Sequence, residues 1–580
     1  MAAQCRAQVG AKESAVRSRS LPVTSAVFSY IHGQTDLVIL PAIQPQPGLQ
    51  TVSKQRTVLG SVIIIALMTS GACATRKQAE NIRWLPDCDA RPIRGLDPEV
   101  VARTQCGIVR VPLNHLKPSL GTLDLDITRV TARQPGKREG AIFTNPGGPG
   151  AEADGFAVLL ASIWKNYGEK PDGEAYRHLT DTFDVIGLTP RGMGSTKDSQ
   201  LVCQSDELIV AHNDITEDRS PANLMALQHN AAVLARGCAS QRLAPYINTA
   251  QTARDMEFVR VLLKEKKLNY LGNSYGTWLG AWYAGLFPEH VGRMVLDSNT
   301  DWTSTFQDAS LIQAPEKEKI FERFVAQPAA RRPQVYQMGN DPKAIRDIFL
   351  ELLPEVRAAL RSDNELYSSA EYLMAARLLS QWLRETPDTN DTHLLSRART
   401  HRFSPDTEVD QSAKSAFMHL LTLIRNPEPW NGLAPGPLKL TPAASVRSTV
   451  LCNDTPAAGE AFWADKGNRY ATQYPVGGSF FQAAHCAGWS VQPLNGVPVK
   501  NLKHVHSILM VQAEFDDQTP AAGALKAFKS LPNTHMTLLK GSYQHGVSFS
   551  DSSACVNRSV GDYLAYGRKP ERYLICFGAD

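Results

Sequence analysis

The chain has 580 residues, 43% of them hydrophobic and 20% charged, and a net charge of +4. That is ample for one large core carrying an insertion, and the composition excludes a disordered or fibrous protein. The first 57 residues hold six Lys/Arg against two Asp/Glu, a surplus that accounts for the whole net charge; the remainder is close to neutral, which leaves no basic surface for nucleic acid.

Lys54 and Arg56 precede an 11-residue apolar run, Val58 to Met68, and Ser70-Gly71-Ala72-Cys73 follow it. A basic start, a short apolar stretch and small residues make a signal peptide over 54–73, too short to span a bilayer as a finished helix. It ends either at a lipobox-like cysteine, with lipidated Cys73 as a membrane tether, or at an ordinary small-residue cleavage site; Ser70 stands where a lipobox has an aliphatic residue. An uncut signal anchor is the other alternative. Because signal peptides open chains, residues 1–53 are expected to be a non-native or disordered extension, with initiation nearer Val52.

After an opening segment at 84–114, Leu123 to Val130 alternates as a half-exposed strand. Strands are expected at 141–144, 184–188, 269–271 and 293–296, separated by helical stretches such as 253–264 with apolar residues at 256, 259, 262 and 263. Strand alternating with helix predicts an α/β fold with a mostly parallel, doubly wound sheet. From 304 to 445 the pattern is helical, clearest at 343–362 and 370–385, without a core strand, and Pro-rich text at 427–442 closes the block. The expected division is a core over 84–303, an inserted helical cap over 304–445 and the rest of the core over 446–580, with strands at 507–511 and 536–539.

The strand at 141–144 breaks into Asn145-Pro146-Gly147-Gly148-Pro149-Gly150. Glycines leave backbone N–H groups unshielded and prolines stiffen the turn, so such a loop serves either as a plain connection or as a donor site for a developing oxyanion. Gly148 is the candidate donor. Gly272-Asn273-Ser274-Tyr275-Gly276 then follows a short apolar strand and precedes an apolar helix that stops at Pro288. Strand, tight turn and helix is the setting of a G-x-S-x-G nucleophile elbow, with the N–H of Tyr275 as the second oxyanion donor.

A serine hydroxyl needs a base, and the base needs an orienting carboxylate. In this fold class they follow in the order serine, acid, histidine. The strand at 507–511 runs into Gln512-Ala513-Glu514-Phe515-Asp516-Asp517-Gln518-Thr519-Pro520, and the strand at 536–539 into Gly541-Ser542-Tyr543-Gln544-His545-Gly546. Parallel sheets place both loops on the elbow's edge. The assignment is Ser274 nucleophile, Asp516 orienting carboxylate with Asp517 as its rival, and His545 general base and acid. His504, His506 and His535 are read as structural.

Together with Phe183-Asp184-Val185-Ile186-Gly187-Leu188-Thr189-Pro190-Arg191-Gly192-Met193-Gly194-Ser195, these motifs resemble the α/β-hydrolase superfamily, and more narrowly the secreted tripeptidyl aminopeptidases and related proline iminopeptidases. The resemblance covers roughly residues 84–576. It implies a mostly parallel sheet with helices on both faces, a helical cap over the site, and removal of short peptides or single residues from a free amino terminus. The chain departs from the family pattern at Thr189, where aspartate is usual, at Ala513 and Asp517, which replace glycine and proline, and at Gln544, which replaces glycine.

Apart from Cys5 and Cys73, eight cysteines remain, in four sequence-local couples: Cys88 and Cys106, Cys203 and Cys238, Cys452 and Cys486, Cys555 and Cys576. Sequence leaves their connectivity open, but local pairing fits an oxidising compartment: the periplasm, the exterior or a lipoprotein surface of a bacterium. No C-x-x-C or His-rich pattern supports a metal, and no cofactor is expected. An exopeptidase must bind a protonated amine, for which Glu152, Glu316, Glu318, Glu322, Glu351, Glu355, Glu365 and Glu371 are available. A peptide is the expected partner. An esterase, lipase or amidase using the same triad is the alternative, and a non-catalytic binding protein on the same fold is the third reading.

Overall fold

A computed structural model describes residues 82–88, 96–361, 368–425, 435–478 and 484–578. The signal peptide, Cys73 and the extension before them lie outside the described residues, as does Glu365.

Among the described residues the strands are β1 (Ile82–Trp84), β2 (Thr104–Pro112), β3 (Thr122–Val130), β4 (Gly140–Asn145), β5 (Phe183–Leu188), β6 (Gln204–Ile209), β7 (Leu268–Asn273), β8 (Val291–Asp297), β9 (Gly436–Lys439), β10 (Ile508–Ala513), β11 (His535–Lys540) and β12 (Tyr573–Phe577). Ten form one sheet in the order β1-β2-β3-β5-β4-β7-β8-β10-β11-β12. The β1–β2, β2–β3 and β3–β5 pairings are antiparallel, and every pairing from β5 to β12 is parallel.

Successive side chains on a strand point to opposite faces, and a parallel sheet is covered on both. The central strands show this directly. Phe143, Tyr270, Leu296 and Met510 enter one apolar core, while Ile142, Leu271, Val295 and Leu509 enter the other. The helices used below are α1 (Ala153–Gly168), α2 (Thr249–Leu262), α3 (Tyr275–Leu286), α4 (Gln313–Ile320), α5 (Ala370–Glu385), α6 (Thr407–Arg425), α7 (Pro442–Asp454), α8 (Ala521–Ser530) and α9 (Ala554–Tyr566). Helices α1 and α9 supply one core; α2, α3 and α8 supply the other. Both faces of the sheet are therefore filled by helices, as the strand–helix alternation predicts.

The segment expected to be a cap is helical and has a separate core around Phe321, Phe349, Leu373, Leu379 and Phe417. It differs from expectation in two places. The stretch at 343–362 is split into Pro342–Leu350 and Pro354–Arg361, because Pro354 lacks an N–H and its ring clashes with the preceding turn. Gly436–Lys439 is a strand, paired antiparallel with β6. The strand expected to be half-exposed, β3, is mostly buried. Asp126 on it is taken inside because its carboxylate accepts the Ser195 N–H and O–H, at 2.6 and 2.9 Å.

Four disulfides join Cys88 to Cys106, Cys203 to Cys238, Cys452 to Cys486 and Cys555 to Cys576. His485 lies with Cys452 and Cys486 in a compact group of possible ligands, but both sulfurs are committed to the disulfide and cannot act as thiolates. Among the described residues no helix is long and apolar enough to cross a membrane.

Candidate active site

Strand β7 delivers Ser274 to a turn with φ 58° and ψ −124°, a conformation that costs a non-glycine residue about 1–3 kcal/mol and persists only where its surroundings impose it. They do so here. The Ser274 N–H is held by the Asp297 carbonyl at 3.0 Å, and the Ser274 carbonyl accepts the Thr277 N–H at 2.9 Å and its hydroxyl at 2.7 Å. Gly272 is required by close approach, since a Cβ there would stand 2.5 Å from the Gly276 carbonyl.

The loop after β4 lies directly on this turn. A Cβ on Gly147, whose φ is +111°, would meet the Asn273 carbonyl at 2.7 Å and the Ser274 Cβ at 2.8 Å. The Gly147 N–H is engaged by Asn145 Oδ1 at 3.0 Å, and Asn273 Nδ2 donates to the Pro146 carbonyl at 3.2 Å. The N–H of Gly148 donates no hydrogen bond among the described residues. Tyr275 opens α3, where the first N–H groups of a helix have no partner within it. The Gly147–Gly148 loop thus packs against the turn that carries Ser274 and Tyr275.

Asp516 leaves the carboxyl end of β10, fully buried, and is fixed by Gln518 N–H and Thr519 N–H on Oδ1 (3.0 and 2.9 Å) and by the Thr519 hydroxyl on Oδ2 (2.9 Å). The Nδ1 of His545 meets Oδ1 and Oδ2 at 3.0 and 2.9 Å. Nδ1–H donation to that carboxylate leaves Nε2 as the basic nitrogen. Asp517 turns elsewhere: its carboxylate is 3.8 Å from the Lys317 ammonium of α4. Of the two adjacent aspartates, the structure brings Asp516 to the histidine. Ser274 and His545 share no direct hydrogen bond among the described residues; in serine hydrolases this contact tightens when substrate fills the site.

Burial pushes the His545 imidazole down, but the charge and hydrogen bond of Asp516, then the charges of Asp517 and Asp297, outweigh it, so the ring stays protonated to higher pH than an ordinary histidine. A base must be neutral to act. The acid limb of kcat/KM is therefore expected to have its midpoint above the ordinary histidine value of about 6.5, as measured by a pH–rate profile.

The segment expected to be a cap packs on both loops that carry these groups. Gln313 Nε2 donates to the Gln518 carbonyl at 2.5 Å, and Phe324 lies edge-on to Phe515 beside Asp516 (5.5 Å) and to Tyr543 beside His545 (4.8 Å). Of the candidate amine-binding carboxylates, Glu316 is buried in α4, its carboxyl raised by burial against the pull of Lys319, with Asp516 and Glu514 pushing it further up. Glu318 is occupied by the Val476 N–H and Arg346.

Sequence reasoning missed Asp297, which ends β8, and Ser298, which follows it. Their signal was an apolar strand ending in Asp-Ser-Asn-Thr at a sheet's carboxyl edge, where parallel sheets hold ligands. It also took Arg191 only as part of a motif. That guanidinium is fully buried and paired with Asp255 at 2.7 and 2.8 Å, also donating to the Leu113 carbonyl, so it fastens the turn after β5 to α2.

Residues 142–332, which contain Gly148 and Ser274, match the family model described as alpha/beta hydrolase fold. The chain has the α/β-hydrolase fold. A second model, TAP-like protein, matches residues 474–576 of the hydrolase, the segment that contains Asp516 and His545. Over 528 residues the hydrolase is 28% identical to "Tripeptidyl aminopeptidase" of Streptomyces lividans, covering 87% of this chain and 88% of that protein. It is 23% identical over 531 residues to "Serine protease Hip1" of Mycobacterium tuberculosis, covering 87% and 92%. A shorter match, 29% over 250 residues, is to "Carboxylesterase B" of Mycobacterium tuberculosis, covering 42% of this chain and 45% of that protein. The hydrolase is a serine hydrolase related to tripeptidyl aminopeptidases.

Proposed function

We propose that the hydrolase is an exported aminopeptidase that releases short peptides or single residues from free amino termini through an acyl-enzyme on Ser274. The observation that carries this reading is the buried Asp516–His545 pair set beside the strained Ser274 turn, under helices of the inserted segment. Ser274 Oγ gives its proton to His545 Nε2 and bonds to the substrate carbonyl carbon, while the carbonyl electron pair moves to an oxyanion held by the N–H groups of Gly148 and Tyr275. The imidazolium returns the proton to the leaving amine as the C–N bond breaks. Water, deprotonated by the same nitrogen, then frees the amino-terminal fragment from the ester.

The amine is the recognition element. A carboxylate fixed in a half-closed pocket above the serine would select a free amino terminus by a charge-assisted hydrogen bond; buried Glu316, bridged by Lys319 at 2.9 Å, lies on the helix packed against the acid loop. The four disulfides support export to an oxidising compartment; a lipid on Cys73 belongs to the same proposal.

A panel of short peptides with free and acetylated amino termini tests the substrate class. Acetylation is expected to reduce kcat/KM by about 100-fold or more, because it removes the charge that an amine-binding carboxylate recognises. Equal cleavage of both forms would favour the esterase or amidase reading, to which the partial match to a carboxylesterase points.

A further inference from the structure

Asp297 ends β8 and is fully buried, as is Ser298 after it. Its carbonyl accepts the Ser274 N–H at 3.0 Å. Its carboxylate accepts Val547 N–H at 3.2 Å, Ser548 N–H at 2.8 Å and the Ser548 hydroxyl at 2.6 Å, all in the loop that carries His545. Ser298 Oγ adds the Gly546 N–H at 2.8 Å. One residue therefore joins the nucleophile's turn to the base's loop, two segments far apart in sequence.

Two of the three groups around the Asp297 carboxylate are N–H donors that can only donate, and the Ser548 hydroxyl can turn to donate as well, so these partners favour the ionised form, even though burial raises its affinity for that proton. We propose that Asp297 is a positioning residue for both Ser274 and His545, and that its negative charge stabilises the imidazolium formed as Ser274 gives up its proton. Asp516 orients the ring by direct contact; Asp297 holds the backbone that follows the ring's residue and adds charge through its field. The inference rests on the triad roles proposed above.

The other charges facing His545 are Asp516 and Asp517 from the loop after β10, with Lys317 of α4 against Asp517 and Glu316 of α4 electrostatically coupled to Asp516. None of these changes when Asp297 is replaced. A carboxylate removed from the vicinity of a histidine lowers the pH at which the ring loses its proton.

The test is the pH dependence of fluorophosphonate labelling of Ser274, with kcat and KM on a cleaved peptide, in wild type, Asp297→Asn and Asp297→Glu. D297N is expected to label about tenfold more slowly with KM little changed, and its acid limb to move down by about half a pH unit. D297E keeps the charge but displaces it, so its rate falls while its acid limb stays near the wild-type position. A folded D297N whose limb coincides with wild type overturns the proposal. If D297N does not fold, D297E decides: a wild-type labelling rate overturns it, and a slowed rate with an unmoved limb supports it. Ser274→Ala is the control; labelling undiminished in that variant would overturn the triad assignment itself.

Discussion

Ser274→Ala and His545→Ala are each expected to lower kcat by several orders of magnitude, of order 10⁵, while KM changes by less than about threefold. Both groups act on the barrier. The Ser274→Ala change removes the hydroxyl assigned as the nucleophile while leaving the Asp516–His545 pair in place. H545A leaves the hydroxyl in place with no base to accept its proton, so fluorophosphonate labelling of the serine should fall in parallel with turnover. Because triad members work as a unit, the double variant should be scarcely worse than either single one. Steady-state kinetics on a cleaved peptide and labelling followed by mass spectrometry check both statements.

Asp516→Asn is expected to cost about 10⁴-fold in kcat. Asparagine fits the site in shape, but its amide group brings donors to a place where Gln518 N–H, Thr519 N–H, the Thr519 hydroxyl and His545 Nδ1 already converge on two oxygens. The amide either repels one of them or forces His545 into the tautomer that carries its proton on Nε2, where it cannot act as a base. Asp517→Asn should cost less than about tenfold, because that carboxylate faces Lys317 and reaches His545 only through its field. Parallel kinetics of the two variants decide between the adjacent acids; a crippled D517N beside an active D516N would reverse the assignment.

Local pattern made much of this legible. The strands around the elbow were readable because a covered parallel sheet demands short apolar runs, and their observed limits differ from those runs by one or two residues. The glycines of the elbow announced themselves because no side chain fits where a Cβ would meet a carbonyl at 2.5 Å. The helix α5 was readable to the residue from its amphipathic period. Other features were not. The burial of Asp126 depends on Ser195, sixty-nine positions away, and β9 exists only because β6 offers it an edge.

What the sequence determined by itself is the set of candidate groups and the local backbone that presents each one: a serine between glycines at a strand-to-helix turn, aspartates and a histidine in polar loops at the ends of apolar strands, and a Gly/Pro loop with bare N–H groups. These follow from short-range sterics and periodicity, which a linear pattern records. Only the tertiary structure chose Asp516 over Asp517, bringing His545 to the first and Lys317 to the second, and placed Asp297 between the Ser274 turn and the His545 loop. Adjacent residues on a loop look alike in sequence, and which of them meets a partner is settled by the packing of segments that sequence separation hides.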